Sequence, residues 1–443
     1  MSAFDFPIAE FQELPLPDVI PRAIRLPYVD RKATVLIGMR RSGKTFLMFQ
    51  EILRLTASGV DRRDILYVNF EDDRLQPAQE GLLSDLLETF YRTNPVARTR
   101  GAYLFLDEVQ MIPGWPRFVR RVLDTEKARI VISGSSAKLL HTEVATELRG
   151  RGLPVEVFPF SFSESLRATG IDVPDRLPPG PRSRSHLEAQ LDRYLSCGGF
   201  PEVQTAPMIE RIQTLQDYVE LVVLRDVIER HRIENVAACR AFSRTLLQSP
   251  ARSFSINKIH ADLRSRGLAV SKELLHALLE HFQDAYLVFA IPIFRRSERA
   301  RSTNPRKLYV VDPGLGSAMS HVTATDLGAR LENTVFLQLR RRHGRLRQGE
   351  VSYYVTGSGR EVDFVVGDLF EQRVGRLVQA SVSLSEPTTR AREVDALKEG
   401  MQETGLRTAE IVTLFEEETL ATDAGVIHVT PAWRWLLEQE AAH

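Results

Sequence analysis

The sequence predicts an α/β protein with a parallel sheet in its N-terminal part and at least two differently patterned regions behind it. Three observations carry this prediction. Short apolar runs rich in β-formers, Thr34–Ile37, Ile65–Phe70, Ala102–Leu106 and Arg129–Ile132, alternate with longer helix-compatible stretches. That is the rhythm of a parallel sheet covered by helices on both faces. The first run leads into GMRRSGKT, Gly38 to Thr45, and then into the helical stretch FLMFQEILRL. From Ser253 onward the rhythm changes to helix, turn, helix and hairpin, followed by a further series of strands.

Composition narrows the options. The chain has 443 residues, long enough for two to four domains, and 43% of them are apolar. Its 58 basic and 58 acidic residues balance, which argues against a uniformly basic nucleic-acid coat but leaves room for local basic patches. The two cysteines, Cys197 and Cys239, lie in unrelated contexts, so no disulfide framework or Cys-based zinc site is expected. MSAFDFPIAEF has neither a basic start nor a long apolar segment, and Ala285–Phe294 is too short to span a bilayer. The expectation is a soluble, cytoplasmic protein.

Ile171–Ser185 holds four prolines and reads as a linker or long loop. His186–Gln248 is mostly helical in its apolar spacing. Ile256–Arg266 reads as a helix stopped by Gly267, and Ser271 as the N-cap of a second helix, Lys272–Asp284. Strands Leu287–Phe294 and Lys307–Val311 follow, joined by an exposed arginine-rich loop. The arrangement resembles a winged helix-turn-helix. From Leu331 the pattern is a helix, strands Val351–Val355, Glu361–Val366 and Leu377–Val382, a helix over Glu393–Glu403, and a strand Glu410–Leu414. The expected division is 1–170, 171–248, 249–325 and 326–443.

Gly38–Thr45 fits the G-x-x-x-x-G-K-[ST] loop in its strand–loop–helix setting. Glycines 38 and 43 let the backbone curl so that N–H groups, including those of Arg41 and Ser42, face a phosphate. Lys44 supplies a mobile charge for the β/γ-phosphates, and Thr45 a hydroxyl for Mg²⁺. YLFLDE ends an apolar strand in two acids. Asp107 suits a Mg²⁺ ligand, and Glu108 a base that orients the attacking water. ATP and Mg²⁺ are therefore the expected cofactors.

RIVISGSS, Arg129 to Ser136, is a further buried strand running into small polar residues. Here the chain resembles the AAA+ ATPases. The resemblance implies that Ser135, or else Ser133, senses the γ-phosphate. It also implies that Arg151 of LRGR, or else Arg149, reaches a neighbouring subunit's site, and that Asn69 restrains the catalytic glutamate. The ordered series YLFLDEVQ, IPGWP, ISGSSAKLL, LRGR, PFSFSE, GGFPE, VLRDVIER, RKLYVVDPG, LENTVFLQLRR and REVDFVV covers nearly the whole chain. It resembles a family of prokaryotic AAA+ ATPases with a C-terminal domain of unknown function. That family implies a P-loop core with a helical lid, then a winged helix, then a restriction-endonuclease-like α/β domain. It also implies a homo-oligomer, possible as a six-membered ring.

Two basic segments stand out. Arg295, Arg296, Arg299, Arg301, Arg306 and Lys307 lie where the wing would be, among small hydroxyl residues suited to phosphate contacts. Leu339–Gln348 is a second cluster. In restriction-like nucleases an acid on a helix, an aspartate on a strand and an acid or glutamine followed by lysine on the next strand form the site. Glu332, Asp363 and Gln379 fit the first three places, with Glu361 as a flanking acid; Ser381 stands in the lysine's place, and Lys398 is the near substitute. Without the lysine's charge the site is expected to be degenerate. The leading reading is an ATP-hydrolysing oligomer acting on nucleic acid, DNA favoured. The alternatives are an ATP-dependent switch whose output is a protein contact and an ATP-regulated nuclease.

Overall fold

The computed structural model describes residues 4–75, 79, 81–134, 148–173, 180–248, 250–295, 297–319, 327–344 and 350–441. The chain forms two compact units, Met1–Phe158 and Pro159–His443.

The first unit is built on five strands, β1 (Ala33–Ile37), β2 (Ile65–Asn69), β3 (Ala102–Asp107), β4 (Ala128–Ser133) and β5 (Gly152–Glu156), in the order β2-β3-β4-β1-β5. Each neighbouring pair is parallel. All five residues of β1 are buried, as expected of an inner strand covered on both faces. One core lies where Leu36, Phe105 and Val131 meet Leu47, Met48 and Ile52 of the helix Lys44–Ala57. The apolar runs foretell four of these strands. The fifth carries Pro154 and lies at the sheet edge, where a missing N–H leaves no ladder bond unmade on the open side. In the parallel register Asn69 lies opposite Asp107, and Leu36 opposite Ser133. The carboxyl ends of the inner strands therefore open together beside the phosphate loop, the usual ligand crevice of such sheets.

The second unit begins with a helix, Phe162–Ala168, closed by a reciprocal capping box between Ser161 and Glu164. A long helix, Pro181–Cys197, follows. The proline-rich segment is thus not loop throughout to Ser185: Pro181 occupies a first-turn position, where its missing N–H has no partner to lose. Asp312 joins this helix to a later element, accepting hydrogen bonds from Gly199 N at 2.6 Å and Gly314 N at 2.8 Å. Burial pushes the Asp312 carboxyl up to about 6.

Helices Ile256–Ser265 and Lys272–Asp284 form where expected, and Ser271 Oγ accepts from Leu274 N at 3.1 Å. Strands β6 (Arg252–Phe254), β7 (Val288–Ile291) and β8 (Arg306–Val310) make a three-stranded antiparallel sheet, ordered β6-β8-β7. The segment between β7 and β8 is not a plain loop, because Glu298–Thr303 is helical. Beyond lies a six-stranded mixed sheet of β9 (Glu350–Val355), β10 (Glu361–Asp368), β11 (Arg373–Ala380), β12 (Thr408–Thr413), β13 (Glu418–Ala421) and β14 (Val426–Pro431), ordered β13-β14-β12-β11-β10-β9. Helix Leu327–His343 packs on β9, β10 and β11 and reaches β8, whereas Pro387–Thr404 packs on β10, β11 and β12. The β9–β10 register shifts between Val362 and Val365, an irregularity that takes in Asp363 and Phe364. Among the described residues no helix is long and apolar enough to cross a membrane.

Candidate nucleotide site and a buried charge cluster

The phosphate loop is held open by backbone geometry that only glycine supplies. Gly38 has φ +153, and a Cβ there would lie 2.1 Å from Val157 O. Gly43, at φ 93, turns the chain left-handed immediately before the helix Lys44–Ala57. Beneath the loop, buried Arg22 donates to Ser42 O at 3.0 Å and Phe158 O at 2.6 Å. Lys44 is buried, its Nζ donating to Gly38 O and Met39 O, both at 3.1 Å.

Thr45 and Asp107 meet as the motif spacing requires: Thr45 Oγ1 donates to Asp107 Oδ2 at 2.6 Å. Asp107 also accepts from Tyr67 OH at 3.2 Å and from Ser133 Oγ. Burial raises the Asp107 carboxyl above its usual value, and the hydrogen bonds from Ser133 and Thr45 work against that. Glu108 follows in a left-handed conformation at φ 53, a strained state for a non-glycine residue, and its N–H donates to Ser133 Oγ at 3.0 Å. One serine hydroxyl thus ties both acids of the strand end to β4. Ser135 lies outside the described residues.

The residue that reaches Glu108 is Gln110, whose Nε2 donates to Glu108 Oε2 at 2.5 Å. Asn69 instead accepts from Glu71 N at 2.9 Å and so closes a turn at the end of β2. Burial and then the Glu108 charge raise the Glu71 carboxyl, while Arg40, 3.6 Å away, opposes this. Sequence reading passed over Tyr67, Glu71, Gln110 and Arg22. The acids of NFEDD and the glutamine of DEVQ were the available signals; Arg22 had none. Arg151 pairs with Asp124 at 2.5 Å, and its carbonyl accepts from Ala33 N, at the start of β1. It therefore lies at the opposite end of the sheet from its own phosphate loop. Arg149 is exposed.

The residues of the basic segment between β7 and β8 differ in exposure. Arg295 donates to Val355 O at 2.8 Å and stacks over Tyr354; Arg301 donates to Arg295 O at 2.9 Å and lies over Phe370. Arg299 and Arg306 are exposed, and Arg296 lies outside the described residues. Lys307 corrects the sequence expectation. It opens the buried run of β8, and only 3% of its side chain is accessible, so it is not a surface phosphate contact.

Lys307 Nζ sits among three carboxylates, 2.7 Å from Glu332, 2.8 Å from Glu361 and 3.0 Å from Asp363. Burial alone would depress this ammonium, but the surrounding charges, led by Asp363, hold its pKa above the ordinary lysine value. Burial, and then the Asp363 charge, pushes Glu332 up to about 8. Tyr309 OH donates to Glu332 at 2.8 Å. Asp363 is fixed on its other oxygen by Ala380 N at 3.0 Å. Gln379 braces this arrangement, accepting from Asp363 N at 3.0 Å and donating to Glu393. The ammonium beside these acids is therefore that of Lys307 on β8, whereas Lys398 pairs with Asp423 at 2.9 Å. Ser381 is buried, and its hydroxyl donates to Ser383 O.

Comparison with known proteins gives this architecture a family. Uncharacterized protein MJ1544 of Methanocaldococcus jannaschii is 34% identical over 428 residues, 95% of this chain and 91% of its own length. Residues 30–166 match an AAA domain, and residues 188–326 match a domain of unknown function, DUF8612. The chain belongs to a prokaryotic family of AAA+ proteins. An uncharacterized protein of Haemophilus influenzae is 28% identical to this AAA+ protein over 75% of the chain and 78% of its own length. Among solved structures, the Walker-type ATPase PABY2304 of Pyrococcus abyssi aligns with a TM-score of 0.38 and 17% identity, covering 65% of this chain and 90% of its own.

The double role of Ser133 yields a prediction for this AAA+ protein. Ser133→Ala removes both the donor to Asp107 and the acceptor of Glu108 N–H. ATP turnover is expected to fall by about a hundredfold, the scale of a small misplacement of catalytic groups, with nucleotide affinity changed far less. Steady-state hydrolysis and nucleotide titration check this; an equal loss in both would assign Ser133 to binding.

Proposed function

We propose that this AAA+ protein binds ATP with Mg²⁺, hydrolyses it within a homo-oligomer, and uses the cycle to act on nucleic acid. The observation that carries the reading is the convergence of Lys44, Thr45, Asp107 and Glu108 at the carboxyl ends of β1 and β3. Thr45 and Asp107 have the oxygen ligands and spacing to hold Mg²⁺, which when bound would offset charge on the triphosphate. Lys44 would turn from the loop carbonyls to the phosphates. Glu108, steadied by Gln110, orients water for attack on the γ-phosphorus and takes up its proton; the bond to the β-phosphate oxygen breaks and ADP leaves. Since Arg151 lies away from its own loop, it would serve a site only in the next subunit.

The output is assigned to the region behind the ATPase core. The helix pair with the β6-β8-β7 sheet reads as a winged helix, and Arg299 and Arg306 are among its exposed cations. The six-stranded sheet reads as restriction-endonuclease-like but without cleavage activity. A second reading, a switch whose output is a protein contact, is favoured by the engagement of Arg295 and Arg301 with carbonyls and rings.

Three outcomes are expected. Lys44→Ala should abolish ATP binding, and Glu108→Gln should retain binding but accumulate the triphosphate-bound form, as read by nucleotide titration and single-turnover hydrolysis; unchanged hydrolysis in Glu108→Gln would remove it as the base. Mixing inactive Arg151→Ala with inactive Lys44→Ala subunits should restore part of the activity, whereas full activity of dilute Arg151→Ala alone would show that the arginine does not act in trans. Arg299→Ala with Arg306→Ala should weaken DNA binding alike for all sequences. It should also flatten the slope of log affinity against log salt by roughly two units. An unchanged slope in gel-shift titrations would favour the protein-contact reading.

A further inference from the structure

A restriction-like centre needs carboxylates free to share a divalent cation, which for Mg²⁺ means near-octahedral oxygen ligation. The donor set here does not fit that requirement. Glu332, Glu361 and Asp363 converge, but on a lysine ammonium at 2.7, 2.8 and 3.0 Å. Gln379, the expected third metal-side group, has its carbonyl on the Asp363 N–H and its amide on Glu393. Asp363 spends its second oxygen on Ala380 N. Among the described residues, no group of three or more His, Cys, Asp or Glu is arranged to hold a metal ion.

We infer that the Lys307 ammonium occupies the place a divalent cation takes in a carboxylate nuclease centre, so that this site is a closed, metal-free ion cluster carrying a cryptic cation site. The geometry supports this. The Lys307 ammonium already fills the point where the three carboxylates converge, and a divalent ion entering beside it would meet like-charge repulsion where little water screens it. Glu361, with 41% of its side chain accessible, is the open side, and Lys307 and Asp363, at 3% and 10%, are the closed one. Losing the internal cation leaves converging carboxylates without a counter-charge, and an outside cation is the simplest replacement. The inference rests on the nuclease-like reading only for the identity of the position; the ion cluster stands without it.

The test is Mn²⁺ titration of the full chain without nucleotide, followed by electron paramagnetic resonance of free Mn²⁺. Wild type and Asp363→Asn are expected to bind Mn²⁺ alike. Lys307→Met is expected to bind a single additional ion per chain, lost again in Lys307→Met with Asp363→Asn. A wild-type ion that Asp363→Asn removes would overturn the inference, as would a folded Lys307→Met that binds no more than wild type. Should Lys307→Met fail to fold, Lys307→Gln, which keeps a polar group among the acids without the charge, replaces it with the same expected and overturning outcomes. Incubation of wild type with linear and branched DNA in Mn²⁺ is scored separately. Asp363-dependent cleavage would refute both the inactive-nuclease reading and the closed cluster. Mn²⁺ bound through Asp363 without cleavage would refute the cluster alone.

Discussion

The Asp107 carboxylate is the point through which the nucleotide site is assembled. It is buried at the end of β3 and receives hydroxyls from three other elements: Thr45 at the start of the loop helix, Tyr67 on β2 and Ser133 on β4. A carboxylate in that position costs desolvation energy unless it is fully hydrogen-bonded. Meeting that requirement fixes the distance between the phosphate loop and the inner strands. Glu108 is then aimed by what remains: a strained backbone turn, an N–H on Ser133 and an amide from Gln110.

A second buried carboxylate group, around Lys307, organises the C-terminal part by the same physics with opposite roles. In the first site the acid is held by neutral hydroxyl donors, which stabilise its charge without cancelling it. In the second it is neutralised by a fixed positive charge on a packed strand, which cannot leave without moving β8. Equal acids in two places therefore differ in availability because of the partner's charge and anchoring.

Much of the N-terminal unit was legible in sequence. Runs of buried β-formers marked β1 to β4, and glycine spacing marked the loop, because both are local consequences of burial and backbone freedom. Helices Ile256–Ser265 and Lys272–Asp284 were legible for the same reason: Ser271 and Gly267 act on their own turns. Illegible features depend on distant partners. Pro154 hid β5 because an edge position excuses a missing N–H. Lys307 stood at the end of a basic run and read as surface, since alternation reports which residues share a face but not what that face meets. Its partner Asp363 is 56 positions away. Asn69 was chosen and Gln110 passed over, because only backbone geometry decides which amide is already used at a turn.

The origin of Lys307 on β8 also bears on how this chain can be divided. Its strand belongs to the three-stranded sheet, while the carboxylates it serves belong to the helix Leu327–His343 and to β10. A fragment cut at 326 would keep the acids and discard the lysine between them, leaving like charges facing one another. Sequence boundaries drawn between the two sheets therefore do not mark modules that can be exchanged independently. Recombination there would preserve each backbone pattern and separate Lys307 from the acids it pairs with.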